Sequence, residues 1–395
     1  MNRVTRLLSA TVPRSIRKRV ARRTQARRML AHPLVNGLPQ VSLLSRPADD
    51  RPDRVAFARR LINAYRAAKA DEKKAKLQLP IDDLWTDLIN KHFGQLLEIL
   101  DSEHADGLAK YLLQYGEQYT IFGGLSLAID AFNPTKDPGS VALSYLDKLV
   151  CLSESLGVLP LENPEQRGRW GQNLYLDIGE ILDGIEKEIR ISIVPPAGAV
   201  FTTGLNTGRG PLHYRHINSL YAALRIKTIV PNKGSICEYG GGLGIVAYYA
   251  NKLGFLDYTI FDLPFVNVFS GHYLLNSLGS EAVSLYGEAS KADTVKVLPF
   301  WECMNVPSLS YSLTLNQDSM AEIDPSLVKE YLRQIERTTQ NNFLSINQEA
   351  QGPMGSREQN SVPNLVRDFP AFHRHYRMKY WIREGYIEEL YELQR

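Results

Sequence analysis

The sequence predicts an α/β protein: a parallel sheet covered by helices on both faces, preceded by a mostly helical N-terminal region. Three observations lead there. After about residue 200, short apolar runs of β type alternate with helical stretches, which is the pattern of a parallel sheet with covered faces. The first of these runs ends in a glycine-rich turn, Glu238-Tyr-Gly240-Gly241-Gly242-Leu-Gly244. The next ends in an acid, Asp262. Ligands of such sheets bind outside the carboxyl ends of the strands, so chemistry is expected there.

The elements follow in order. Asp53 to about Lys73 reads as a helix, with Val55, Phe57, Ala58, Leu61, Ile62 and Tyr65 on one face. A second helix is expected after Pro80, carrying Leu84, Leu88, Phe93, Leu96, Leu97 and Leu100, and a third from Gly107 to Tyr119. Asn133 to Gly139 is dense in turn formers and reads as a loop. Val141 to Leu156 and Gly171 to Glu188 read as helices, and Ile189 to Val194 as a short strand. Beyond residue 200, strands are expected at Ser235 to Glu238, Tyr258 to Phe261, Ser310 to Leu315 and Asn342 to Ile346. Helices are expected at Gly244 to Leu253, Val266 to Leu278 and Ser326 to Arg337. There is no internal repeat.

The chain has 395 residues, 44% of them hydrophobic, enough for a sizeable core or two domains. Its net charge of +3 is unevenly spread. The first 48 residues hold eleven Lys or Arg and no acid, which leaves 35 basic against 43 acidic residues, or −8, for the rest. An acidic body argues against a nucleic-acid-binding fold. The expected organisation is a basic, poorly ordered tail over 1–48, a helical region over 49–200 and the α/β domain over 201–395. The tail also suits an anionic lipid surface, where each basic residue adds roughly 1 kcal/mol, and its composition is that of a transit peptide. No apolar run has the length of a membrane span. Cys151, Cys237 and Cys303 are far apart and odd in number, which suits a reducing compartment.

The glycine turn suits two cofactor classes. Gly242-Leu-Gly244-Ile-Val-Ala247 fits the dinucleotide pattern loosely. Glu238, Gly240, Gly242 and Gly244 fit E-x-G-x-G-x-G, the pattern of sites for S-adenosylmethionine, in which the acid meets the ligand's ammonium. Asp262, 24 residues after Glu238, can accept hydrogen bonds from both ribose hydroxyls in either class.

These residues, with Phe261-Asp-Leu263-Pro264, resemble the class I S-adenosylmethionine-dependent methyltransferases, a Rossmann-like fold. The chain is more specifically similar to the sugar O-methyltransferase family found with bacterial surface-polysaccharide genes. That likeness adds Tyr214-Arg-His-Ile-Asn218, Asn316-Gln-Asp-Ser-Met-Ala-Glu322, Phe343 to Asn347 and the aromatic segment His375 to Tyr386. It implies S-adenosylmethionine as cofactor, held by Glu238, Gly240, Gly241, Gly242, Gly244, Asp262, Leu263, Arg215 and Asn316. It also implies a sugar or glycan-precursor acceptor, and a cytoplasmic setting with peripheral contact at the inner membrane face through the tail. Plant phenolic O-methyltransferases share the glycine triplet and F-D-L-P, but their catalytic histidine after the fourth strand has no counterpart here.

A general base near the ends of the first and fourth strands helps a sugar hydroxyl attack. Asp318 and Glu322 are the nearest carboxylates by sequence, on one face if a helix begins there. His213 and His216 are the other candidates, and Arg215 between them can grip a carboxylate. His272 is expected at the surface. His373 and His375 share a side of an expected strand but lack a third ligand, so no metal site is assigned and a divalent-cation requirement stays open. Pro299-Phe-Trp301 suits either the core or a ligand ring. The rival readings are an NAD(P)-dependent oxidoreductase or epimerase, a phenolic O-methyltransferase, and a binding protein with a degenerate site.

Overall fold

The structure is a computed structural model that describes residues 39–46, 52–79, 84–115, 137–163, 171–195, 202–289, 291–349, 351–354 and 357–394. Within them the elements run, in chain order, β1 (Leu43–Ser45), α1 (Arg54–Glu72), α2 (Leu84–His92), α3 (Gly94–Asp101), α4 (Ala105–Tyr115), α5 (Pro138–Ser155), α6 (Ile178–Ile189), β2 (Thr203–Asn206), β3 (Pro211–Leu212) and α7 (Tyr214–Ile229). There follow β4 (Ile236–Tyr239), α8 (Ile245–Lys252), β5 (Tyr258–Asp262), α9 (Pro264–Leu278), β6 (Val283–Leu285), β7 (Val295–Pro299), β8 (Tyr311–Gln317), α10 (Pro325–Thr338) and β9 (Thr339–Gln348). The last are β10 (Pro353–Met354), β11 (Arg357–Glu358), α11 (Val362–Val366), β12 (Phe372–Lys379) and β13 (Tyr386–Leu393). Among the described residues no helix is long and apolar enough to cross a membrane.

The chain gathers into two units that interleave along the sequence. One takes Met1–Pro47, Tyr119–Pro195 and Phe201–Ile217, the other Ala48–Gln118, Pro196–Val200 and Asn218–Arg395. The stretch 49–200, read from sequence as one helical region, is thereby shared: α1 to α4 go with the large sheet, α5 and α6 do not. The expectations about the tail fall mostly on residues 1–38, outside the described ones.

In the first unit β1, β2 and β3 form an antiparallel sheet, with Leu205 opposite both Leu43 and Leu212. α5 is buried nearly all round, through Val141, Ala142, Leu143, Tyr145, Leu146 and Leu149. α6 is amphipathic and buries Ile181, Leu182, Ile185 and Ile189, the spacing of one helical face.

The second unit is built on an eight-stranded sheet of order β12-β13-β9-β8-β4-β5-β7-β6. From β6 to β9 every pair is parallel. β13 then runs antiparallel to β9, and β12 antiparallel to β13. All four residues of β4 are buried, as expected of a central parallel strand with helices on both faces. The chain leaves β4 toward β5 and β7, then crosses back to place β8 on the other side of β4. That reversal is a topological switch point, where the connections diverge and a crevice opens beyond the strand ends. The fold class read from the sequence, Rossmann-like α/β, is the one observed.

The strands expected around residues 236, 260, 313 and 344 and the helices between them are present. The differences are local. The helix expected over residues 84–100 is two, α2 and α3, broken at Phe93. The helix expected from Gly107 begins at Ala105; it is described to Tyr115, and residues 116–119 lie outside the described ones. Pro138 and Gly139 open α5 rather than close a loop, because Asp137 caps the Ser140 N–H and Pro is favoured in a first turn; residues 133–136 are not described. Residues 173–175 form a separate turn before Asp177 caps α6. Ile189 to Val194 is no strand: Arg190 takes a left-handed φ of 63° and stops α6.

Candidate cofactor and acceptor site

β4 delivers the glycine turn to the switch point. Gly240, Gly242 and Gly244 have φ of 69°, 56° and 74°, the left-handed region where a Cβ costs energy. Two of these positions are also crowded. A Cβ on Gly240 would run into the Ser319 side chain, and one on Gly244 would come within 3.0 Å of Leu274. Gly241, at negative φ, would press on Ile260. A Cβ on Gly242 meets nothing within 4 Å. At Gly242, then, the backbone borders open space. Gly244 caps α8 without any side-chain hydrogen bond, so the first N–H groups of α8 are left to other partners.

Two carboxyls stand beneath and beside this turn. Glu238 on β4 is 2% exposed. Its Oε2 accepts a hydrogen bond from the Tyr258 hydroxyl at 2.8 Å. Burial pushes its pKa up to about 8, with the neighbouring Asp262 carboxyl adding to the rise and Tyr258 opposing it. Asp262, at the end of β5, is part-exposed. Its Oδ2 accepts from the Gly242 N–H at 2.8 Å and its Oδ1 from the Leu263 N–H at 2.7 Å. Each oxygen keeps a further lone pair for a ligand hydroxyl. Burial pushes its pKa up to about 7, against those two backbone donors. Because Asp262 keeps contact with solvent, Glu238 is the carboxyl whose charge is harder to hold. Among the described residues no lysine or arginine pairs with either.

β8 supplies the residues that hold the turn. Asn316, fully buried, donates from Nδ2 to the Tyr239 carbonyl at 2.8 Å and to Ser319 Oγ at 2.6 Å. Its Oδ1 accepts from Asn347 Nδ2 at 2.8 Å. The carbonyl of Tyr239 can only accept, which fixes how both amides are turned. The Asn316 amide is thus engaged within the protein, beneath the glycine turn.

Of the catalytic candidates, Asp318 lies just past β8 with φ 70°. It pairs with Arg383 and accepts a hydrogen bond from Tyr386, which join it to the β12–β13 turn. Beside it, Gln317 donates to the Tyr380 hydroxyl at 3.5 Å, and Tyr380 donates to Asn218. Glu322 is part-exposed. No helix begins at Asp318: residues 318–323 form turns, and α10 starts at Pro325 under an Asp324 cap. The shared helical face expected for Asp318 and Glu322 therefore does not exist.

His213, Arg215 and His216 belong to the first unit and are buried. His213 Nδ1 accepts from the Arg215 backbone N–H at 3.2 Å, so its proton sits on Nε2. Its ring lies edge-on to Tyr145 at 5.1 Å. Burial lowers the pKa of both rings, that of His216 to about 3. Arg215 lies over the Tyr214 ring.

His272 is half-buried rather than at the surface. Phe300 and Trp301 are core residues, and Leu263 packs partly against the same core. His373 and His375 lie exposed on β12, but a register shift between Arg374 and Tyr376 makes His375 the extra residue of a bulge. Among the described residues no group of three or more His, Cys, Asp or Glu side chains could hold a metal ion. The sequence does not single out Ser319, Tyr380, Arg383 or Asn347 individually, although all four lie in the segments that carry the resemblance.

No protein-family model and no curated protein matches the chain. Solved structures similar to it include the PH0226 protein from Pyrococcus horikoshii OT3, at 10% identity and a TM-score of 0.36 over 48% of this chain and 92% of that one. Another is the glycopeptide N-methyltransferase MtfA with S-adenosyl-L-homocysteine, at 10% identity and a TM-score of 0.34 over 45% and 90%. A third is magnesium protoporphyrin IX methyltransferase from Synechocystis PCC 6803 with bound SAM, at 10% identity and 0.34 over 46% and 82%. Likenesses of this size establish no relationship. The fold class rests on the strand order.

Proposed function

We propose that this chain is an S-adenosylmethionine-dependent methyltransferase that methylates a hydroxyl of a sugar or surface-polysaccharide precursor. The observation that carries the cofactor assignment is Glu238: a carboxyl at the switch point, 2% exposed and with no cation paired to it among the described residues. A buried charge is tolerated only when paired, and a ligand bearing an ammonium and a sulfonium brings the partner. A nicotinamide dinucleotide brings a pyrophosphate and no ammonium, so it would leave Glu238 without a partner. The residues fit the cationic cofactor. Glu238 faces its ammonium, Asp262 accepts from the ribose hydroxyls, Gly242 gives it room, and Leu263 offers an apolar contact. Gly240, Gly241, Gly244 and Asn316 hold the turn. Arg215 keeps its proposed part in gripping a carboxylate.

Bound there, the cofactor supplies an electrophilic methyl group. The protein's task is to align the acceptor oxygen with it and to take the hydroxyl proton. Asp318 already accepts from Arg383 and Tyr386, so its role is to hold the β12–β13 turn, and Glu322 is the carboxylate we assign as base. His213 and His216, neutral and deeply buried, are the weaker alternatives. The sugar rests on the sequence resemblance, and the basic tail is proposed to place a cytoplasmic enzyme at an anionic membrane face. The test is calorimetry with S-adenosylmethionine, S-adenosylhomocysteine and NADH, then radiolabelled methyl transfer to a panel of nucleotide sugars, glycans and phenols. Binding of NADH alone refutes the cofactor, and transfer only to phenols refutes the acceptor.

A further inference from the structure

We infer that the site takes up its cationic cofactor in exchange for a proton: Glu238 carries a proton in the empty protein and releases it when the ligand's ammonium arrives. This rests on the cofactor reading above and adds a regulation to it. The groups around Glu238 leave few alternatives. From β5 it faces the Tyr258 hydroxyl, which donates to Oε2 at 2.8 Å, and the Asp262 carboxyl. On its own strand the neighbour is Cys237, a buried thiol. From β8 its register partner is Leu315, which carries no charge. Gly241 passes close to it, since a Cβ there would stand 3.2 Å from Oε2 and 2.7 Å from Ile260. Among the described residues Glu238 has one neutral donor and a neighbouring acid, which do not stabilise a buried anion, so the neutral form prevails until a cation enters. Burial of Glu238 supports the same state by pushing its pKa up to about 8.

The exchange balances simply. The O–H bond of the Glu238 carboxyl breaks, its electron pair stays on the carboxylate, and the proton passes to buffer. The ammonium then donates to that carboxylate. Affinity consequently depends on pH, about tenfold per unit below the carboxyl's pKa and flat above it.

The experiment is titration calorimetry of the full chain with S-adenosylhomocysteine at about pH 7, in phosphate and in Tris, which differ in ionisation enthalpy. The expected result is release of close to one proton, with affinity rising about tenfold per pH unit between roughly pH 6 and pH 7.5. Glu238→Gln should bind more weakly and release about one proton fewer, leaving only the fraction that Asp262 contributes. Tyr258→Phe removes the donor that favours the anion, so the midpoint of the rise should move to higher pH. Binding without proton release, or an affinity flat across that range, overturns the proposal and leaves the cofactor reading standing. Absence of binding at every pH overturns the cofactor reading itself.

Discussion

Asn316 Nδ2 donates to the carbonyl of Tyr239 at 2.8 Å, joining the end of β8 to the end of β4 one residue before the glycine turn. The register places the two residues side by side in the parallel pair. Asn316→Ala leaves that carbonyl, Ser319 and the Asn347 amide without their shared partner. A buried group left unpaired costs about 1–3 kcal/mol, so urea denaturation should show a loss of about 2–4 kcal/mol. Affinity for S-adenosylhomocysteine should fall at least about tenfold, because the turn loses its anchor.

Gly240 and Gly242 should separate packing from binding. Both have positive φ, which costs a residue with a Cβ about 1–2 kcal/mol. Gly240→Ala also collides with Ser319 and should destabilise the fold well beyond that. Gly242→Ala meets open space, so it should lose only that penalty of about 1–2 kcal/mol while cofactor binding is lost. Equal effects of the two substitutions on melting temperature would remove the distinction.

The empty protein should lose stability as pH rises through the neutral range. Glu238 and Asp262 have ordinary values of 4.5 and 3.8, raised on folding to about 8 and about 7. Between those values the folded chain holds protons that the unfolded chain has released, so stability falls as pH climbs. Melting temperatures of the unliganded protein from about pH 5 to pH 8.5 should decline, and Glu238→Gln should flatten the decline.

His213 and His216 give the opposite sign. Their folded pKa values lie below the ordinary 6.5. The unfolded chain therefore takes up protons that the folded chain refuses, and their contribution to stability is complete above about 6.5 and lost as pH falls. Proton NMR should show two imidazoles that do not titrate between about pH 5 and pH 8. A ring that titrates near 6.5 in either position would restore it as a candidate base.

Asp318 and Glu322 should differ in kind. The Asp318–Arg383 side chains are 16% and 10% exposed, and breaking a pair so nearly buried costs about 3 kcal/mol. Asp318→Asn should therefore lower stability and leave binding of S-adenosylhomocysteine intact. Glu322→Gln should slow methyl transfer about 10²–10⁴-fold and leave binding of S-adenosylhomocysteine intact. A full rate in Glu322→Gln would move the base assignment back to Asp318.

The parts legible in the sequence are those written in local rules. The glycine turn shows itself because three positions need φ that only glycine takes without strain. Asp262 shows itself as the acid that ends an apolar run. α10 shows itself as a face of Leu327, Tyr331 and Leu332, one helical turn apart. β13 was hidden for the converse reason. Glu388 and Glu389 interrupt its apolar pattern, yet both are fully buried, because Tyr221 and Arg225 reach one and Arg374, Arg377 and Tyr391 the other. All of these partners but Tyr391 lie 12 to 167 residues away, and cannot be read from a window of ten.

By itself the sequence determined the α/β class, the glycine turn and the two carboxyls beside it, since each depends on backbone geometry or on a residue at a strand end. Only the tertiary structure decided what those residues can do. It showed that Glu238 lies buried with no cation paired to it among the described residues, that the Asn316 amide is already engaged, and that Asp318 is held by Arg383 and Tyr386. Burial and pairing set the charge of an acid, and both depend on segments that come together only in the fold.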